Sequence, residues 1–475
     1  MDEGVPEAEA ADTVGDEGVA GGAAQPREEP ARGRGRPKKP RPDAPGLTDA
    51  LADTLAHFFP ELGAWFAGVE EARKSGSARF PLPTLLLLGT LMFVGHSGSR
   101  NLFNGLLRDA GALGRTLAEI LGAGPDALPH LDTLEKVLRG VDPAELEEVL
   151  ARCVRRLIRM KALDGWRSDG RFLLAVDGTG LWSFPRRHCP HCVKTEHKSG
   201  AVTYGHKLLV AFIVSRDGYA LPVASEFIEN PGETYDKQDC ETKAFHRLQA
   251  KIMRLFPQTP FRLLLDALYA DRNVMAECAA NGWDFVITFL ESDMPALWRE
   301  AQALLALEPG NLARVTYPKE SGGGSLEVCW IAGLEYHGLR LSAVFQTERD
   351  ADGNERKFFA HLTLRPVDRD NCLARAADGR LRWRCENEGF NTLKNGGFAL
   401  EHVYSRNENA SKCYVQLMLL AHIVQQLVTR GRLGAAFADT FETFKAYGKR
   451  MLAALLNIPA DPGRAPPGQI RLSTA

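Results

Sequence analysis

The chain has 475 residues, 44% of them hydrophobic, which is too much for one ordinary domain and implies two or three. No apolar run approaches the roughly 18 residues of a membrane span, and the acidic start lacks the apolar core of a secretory signal. Nine scattered cysteines fit a reducing cytoplasm better than a disulfide framework, and the net charge of −2 averages unlike parts.

Residues 1–30 carry nine acids and one base, so residues 31–475 stand at +6, a balance that permits nucleic-acid binding without demanding it. Residues 1–45, rich in Ala, Gly, Glu and Pro, bury too little apolar surface to order and read as a disordered tail. Within them, Arg32-Gly33-Arg34-Gly35-Arg36-Pro37-Lys38-Lys39 has two readings. It resembles an AT-hook, with Arg34 and Arg36 seeking the negative potential of a narrow minor groove, or it is a solvated basic tail.

Residues 46–165 read as a helical, DNA-binding domain. Leu51, Leu55, Phe58 and Phe59 recur at helical spacing, and Leu85 to Val94 reads as a buried helix. A later helix starts at Asp142 as N-cap with Pro143 at its first position, and ends on Arg155, Arg156, Arg159 and Lys161. Those cations serve the helix dipole or a DNA phosphate.

From about residue 170 the period changes. Strands are predicted over 172–176, ending at Asp177, then 206–214 and 221–228, with a hairpin turn at 216–219. A helix over 239–256, a strand over 261–265 ending at Asp266, a helix over 272–281 capped by Asp271 and a strand over 283–289 follow. This βββαβαβ order is the RNase H-like succession, in which the first and fourth strands lie parallel at the sheet centre. The fold class is therefore α/β. An RNase H-like mixed-sheet core spans 166–309 and 371–432, with a β-rich insertion over 310–370 between its parts. A C-terminal helix, from about Phe437, and a tail occupy 433–475.

Asp177 and Asp266 each close an apolar strand, and in an open α/β sheet ligands bind beyond the strand C-terminal ends. Two converging carboxylates repel, and a pair of divalent cations relieves the repulsion; oxygen ligands suit Mg²⁺ or Mn²⁺. Either Asp alone would be explained as a turn cap. The two together, with a helix-borne glutamate downstream, point to a metal site for in-line phosphoryl displacement.

The segment Arg382-Trp383-Arg384-Cys385-Glu386-Asn387-Glu388-Gly389-Phe390-Asn391-Thr392-Leu393-Lys394 resembles the glutamate helix of bacterial insertion-sequence DDE transposases. Asp177-Gly178-Thr179 and Leu265-Asp266-Ala267-Leu268-Tyr269 resemble that family's first two acidic motifs, and the resemblance covers roughly residues 130–430. It implies Asp177, Asp266 and Glu386 as metal ligands, Arg382 as a phosphate contact, and DNA strand cleavage and transfer. The family's lysine follows its glutamate by seven residues, where Leu393 stands; Lys394 comes one later, and Gly379 holds the place of an expected tyrosine. Glu388 is therefore a rival third ligand, and on an α-helix it points about 200° away from Glu386.

His188-Cys189-Pro190-His191-Cys192 contains a Cys-x-x-Cys that suits half of a structural Zn²⁺ site on Cys189 and Cys192, with Cys240, His197 or His206 as candidates for the rest. Buried thiols in a loop are the other reading. Trp182 and Phe184 are expected in the core rather than stacked on a base.

The function expected is a cut-and-paste DNA transposase, acting as a homodimer on element ends and target DNA, with no membrane association. Its expected location is the bacterial cytoplasm, on the nucleoid. The alternative is a non-catalytic DNA-binding protein, regulatory or a decayed relic. A repair nuclease would share the metal site without strand transfer.

Overall fold

A computed structural model describes residues 46–472, except 74–77, 108–110, 123, 125–126, 319–322, 432, 434–442 and 465–467. The AT-hook-like segment with Arg34 and Arg36 lies outside these residues.

The chain opens on helices α1 (Leu47–Phe58), α2 (Leu62–Ala67), α3 (Leu82–Val94), α4 (Arg100–Leu106), α5 (Gly111–Leu121), α6 (Leu131–Leu138) and α7 (Pro143–Arg159). As expected, the Asp142 side chain caps α7, accepting from Ala144 N at 2.9 Å. Leu146, Val149, Leu150, Cys153, Val154 and Leu157 line its buried face. Helix α3 is apolar all round and buried along nearly its whole length.

The sheet strands are β1 (Arg167–Ser168), β2 (Arg171–Phe184), β3 (Val193–Glu196), β4 (Val202–Val214), β5 (Ala220–Ile228), β6 (Phe261–Leu265), β7 (Asp284–Thr288), β8 (Leu312–Thr316), β9 (Ser325–Tyr336), β10 (Leu339–Arg349) and β11 (Glu355–Thr363). Helices α8 (Glu241–Leu255) and α9 (Arg272–Ala280) lead into the two inner crossover strands, and α10 (Pro295–Leu307) follows β7. All described strands join one sheet. Its core order is β5-β4-β2-β6-β7, with β2 parallel to β6 and β6 parallel to β7. That is the RNase H-like arrangement, with the first and fourth core strands side by side.

Strands β8 to β11 extend this same sheet, because β11 pairs antiparallel with β7. A further difference concerns β2, which does not stop at Asp177. Its parallel pairing with β6 ends at Ala175, but its other edge stays paired with β4 as far as Phe184.

The chain then forms α11 (Cys372–Arg380), a π-helical stretch over Cys385–Asn391, and α12 (Thr392–Asn395). Helix α13 (Glu408–Arg430) is buried from Ala410 to Val428 and packs against α3, α7 and β5, so the N-terminal helices and the sheet share a core. Helix α14 (Phe444–Asn457) begins later than predicted, and 434–442 are outside the described residues.

Candidate active site

Asp177 sits on β2 just past its parallel neighbour, and Asp266 follows directly on β6. Each uses one carboxylate oxygen locally: Gly178 N donates to Asp177 Oδ1 at 2.8 Å, and Leu268 N donates to Asp266 Oδ1 at 3.0 Å. Asp266 thus caps the turn that follows β6, whereas Asp177 lies within β2 and caps no turn; each keeps its second oxygen for other partners.

Arg382 joins the distant parts. Its Nη1 donates to Asp177 Oδ2 at 3.1 Å and to Glu386 Oε1 at 3.1 Å. Burial, chiefly, pushes the Asp177 carboxyl up to about 6; Arg382 opposes the shift, and the charges of Glu241 and Glu386 add to it. Burial also raises Asp266, with Arg382 opposing and Glu386 adding. Asp177, Asp266, Glu386 and Arg382 therefore share one electrostatic neighbourhood.

Glu388 points elsewhere. It pairs with Arg384, whose Nη2 donates to Arg216 O at 2.9 Å. Glu386 is half exposed beside Arg382, whereas Glu388 is mostly buried on the far side.

The π-helix changes the face on which Lys394 falls. Eight α-helical steps from Glu386 would carry Lys394 roughly 80° off its face. A π turn advances roughly 82° per residue, so five such steps and three α-helical ones bring Lys394 within roughly 10° of Glu386. One extra residue is absorbed, as in a π-bulge. Lys394 Nζ rests 2.8 Å from Glu401 Oε1.

A fourth carboxylate, unremarked in the sequence, belongs to the site. Glu241, first residue of α8, accepts from Tyr269 Oη at 2.7 Å. Its Oε2 would lie 2.5 Å from a Cβ at position 178, so any larger residue after Asp177 must push the Glu241 carboxylate aside. No local motif marks Glu241, since its place depends on α8 docking against the sheet.

Asp177, Asp266, Glu241 and Glu386 against the single guanidinium of Arg382 make a net-negative, all-oxygen donor set, which fits hard divalent cations. Among the described residues, one group of at least three potential ligands gathers within 4.8 Å, and it is not this one, where Arg382 lies between Asp177 and Glu386. That group is His188, Cys189, Cys192 and His206. Of the partners expected for the Cys-x-x-Cys, His206 is present. His197 instead contacts Thr203 Oγ1 at 2.9 Å, and Cys240 is exposed at the start of α8.

Trp182 is partly buried against the His206 ring, but Phe184 is exposed, so the core assignment fails for Phe184. Beyond Asp177 the β2 strand leaves the sheet centre and borders a groove of about 990 Å³ that both rings line.

The strand order and the acids at the head of its central parallel pair define an RNase H-like α/β protein. Residues 229–424 match the family model described as "Transposase DDE domain". The match supports an insertion-sequence DDE transposase; it contains Glu241, Asp266 and Glu386 and begins after Asp177. A comparison with curated proteins gives no match. No helix among the described residues is long and apolar enough to cross a membrane.

Proposed function

We propose that this protein cleaves DNA at the ends of an insertion sequence and joins the freed strand to target DNA. The observation that carries the reading is the bridge made by Arg382, which lies 205 residues from the β2 acid in sequence and ties that acid to the glutamate of the π-helical turn. Asp177, Asp266 and Glu386 would hold two Mg²⁺ or Mn²⁺ ions, with Glu241 beside them. When bound, such ions supply the Lewis acidity that activates water and stabilises a leaving oxygen.

The chain's own groups do the rest. Asp177 ionises to serve as a ligand, and Arg382, freed from its carboxylates, takes a DNA phosphate bidentately. Lys394, on the Glu386 face, adds a second phosphate contact. Tyr269 holds Glu241 in place from below. Each step is phosphoryl transfer, so no covalent protein intermediate is needed. The helical region over 46–165 and the basic segment with Arg34 and Arg36 bind the element ends. Two ends require two sites, hence a homodimer on DNA, in the cytoplasm on the nucleoid.

The test is Mg²⁺-dependent nicking of supercoiled plasmid bearing the inverted repeats that flank the gene. Asp177→Asn, Asp266→Asn and Glu386→Gln should each slow cutting by roughly 10³-fold or more, while Glu388→Gln stays within roughly tenfold. Cutting at the parent rate by any of the first three overturns the assignment. A parent that binds but never nicks leaves the non-catalytic DNA-binding reading.

A further inference from the structure

We infer that His188, Cys189, Cys192 and His206 form a closed Cys₂His₂ site for a structural Zn²⁺. The inference is independent of the nuclease reading. His188 and the two cysteines lie on the loop between β2 and β3, and His206 projects from β4. Cys189 Sγ is 3.1 Å from Cys192 Sγ and 3.2 Å from His206 Nε2. Cys192 Sγ is 3.2 Å from His188 Nδ1 and 4.0 Å from His206 Nε2. A tetrahedron with Zn–S near 2.3 Å and Zn–N near 2.0–2.1 Å sets its ligand atoms about 3.3–3.8 Å apart, within the observed spread. A disulfide would need about 2.05 Å between the sulfurs.

The surroundings are built for these roles. His206 presents Nε2 to the sulfurs, while its Nδ1 lies 4.0 Å from Glu229 Oε2, a buried oxygen without a hydrogen-bond partner. Donation from Nδ1–H to that carboxylate would fix the tautomer that frees Nε2 for a metal. Glu229 Oε1 is held by Lys412 Nζ at 2.6 Å. The loop is preset as well. The fully buried Asn230 donates Nδ2 to Cys192 O at 2.8 Å and its backbone N to His191 O at 3.0 Å. His191, the histidine inside the motif, is turned away to Asn230 O. His188 is exposed, which gives an ion a way in.

Four protein ligands leave no open position, so the site is structural, and two thiolates with two neutral imidazoles cancel the charge of Zn²⁺. The pairing of β2 with β4 breaks between Gly180 and Ser183, opposite Gly205 to Lys207. The ion would pin that break, a few residues from Asp177, and with it the groove wall formed by His188, Cys189 and His206 beside Trp182, Phe184 and Lys412.

Elemental analysis of the full-length protein, purified without chelator from zinc-supplied cells, should find one Zn²⁺ per chain. Asp177→Asn should keep it, although that variant loses cleavage under the nuclease reading. Cys189→Ser combined with Cys192→Ser should lose it, and cobalt replacement in the parent should give the absorption of tetrahedral S₂N₂ coordination. Should the double variant fail to fold, the exposed His188→Ala and the supporting Glu229→Gln serve instead. Glu229→Gln should lower zinc affinity roughly 10–100-fold in chelator competition, and His188→Ala by at least as much. Parent protein with less than a tenth of an equivalent of zinc, an intact mass 2 Da low from a Cys189–Cys192 disulfide, or zinc retained undiminished by the cysteine or His188 variants would overturn the inference.

Discussion

Asp177 carries an unfavourable charge in the metal-free protein. Its folded pKa, raised to about 6 mainly by burial, exceeds the ordinary carboxylate value of 3.8. For a raised carboxylate, stability is lost as pH climbs through that window and is flat above it. Asp177→Asn should therefore be more stable than the parent at pH 8 in chelator, by about 1–3 kcal/mol after allowing for the lost Arg382 contact, and the gap should close towards pH 4. Thermal melts across that range check this, and adding Mg²⁺ should raise the melting temperature of the parent alone. A second residue-scale prediction concerns Arg262, wholly buried on β6 between Asp284 (2.6 Å) and Asp378 (2.7 Å). Asp378 also holds Arg375 and Ser168, tying α11, which leads to the glutamate turn, to the sheet. Asp378→Ala leaves two arginines short of a counter-charge and should cost about 3–5 kcal/mol in urea denaturation. None of this network was legible in sequence, where Arg262 reads as one polar residue in an apolar strand. The strand itself, over 261–265, was read correctly from its composition.

At the scale of elements, the glutamate turn is the part the sequence described least well. Its residue types were recognisable, but no local motif announced that the backbone widens over Cys385–Asn391, which changes the face on which Lys394 falls. Gly389 permits the turn to pack: a Cβ there would lie 3.1 Å from the Phe212 ring on β4, tight enough that the ring must give way. Gly389→Ala should destabilise by about 1–3 kcal/mol and shift Glu386, lowering Mg²⁺ affinity measured by calorimetry. An unchanged affinity would mean that the turn does not set the position of Glu386. Strand β2 teaches a similar point. Apolar composition stops at Val176, so the prediction ended there, yet cross-strand hydrogen bonds to β4 carry the strand eight residues further. Backbone pairing does not depend on side-chain polarity, so hydrophobic pattern alone underestimates strand length.

For the whole molecule, α13 is the organising element, because it buries one side against α3 and α7 and another against β5. Removing residues 1–165 would strip α3 and α7 from it, exposing a broad apolar surface. A 166–475 fragment should therefore bind a hydrophobic dye and aggregate in light scattering, whereas 46–475 should not; a soluble, cooperatively melting fragment would contradict the shared core. The sequence by itself determined the βββαβαβ order of the core, the cap of α7, the acid after β6 and the glutamate segment, because periodicity, capping and motif spacing are local properties. Tertiary structure alone decided that β8 to β11 continue the central sheet, that Glu241 comes up against Gly178 beside Asp177, and that His188 and His206 gather with the cysteine pair. Each of those depends on which surfaces meet across the core, a matter of shape and burial between residues far apart in the chain.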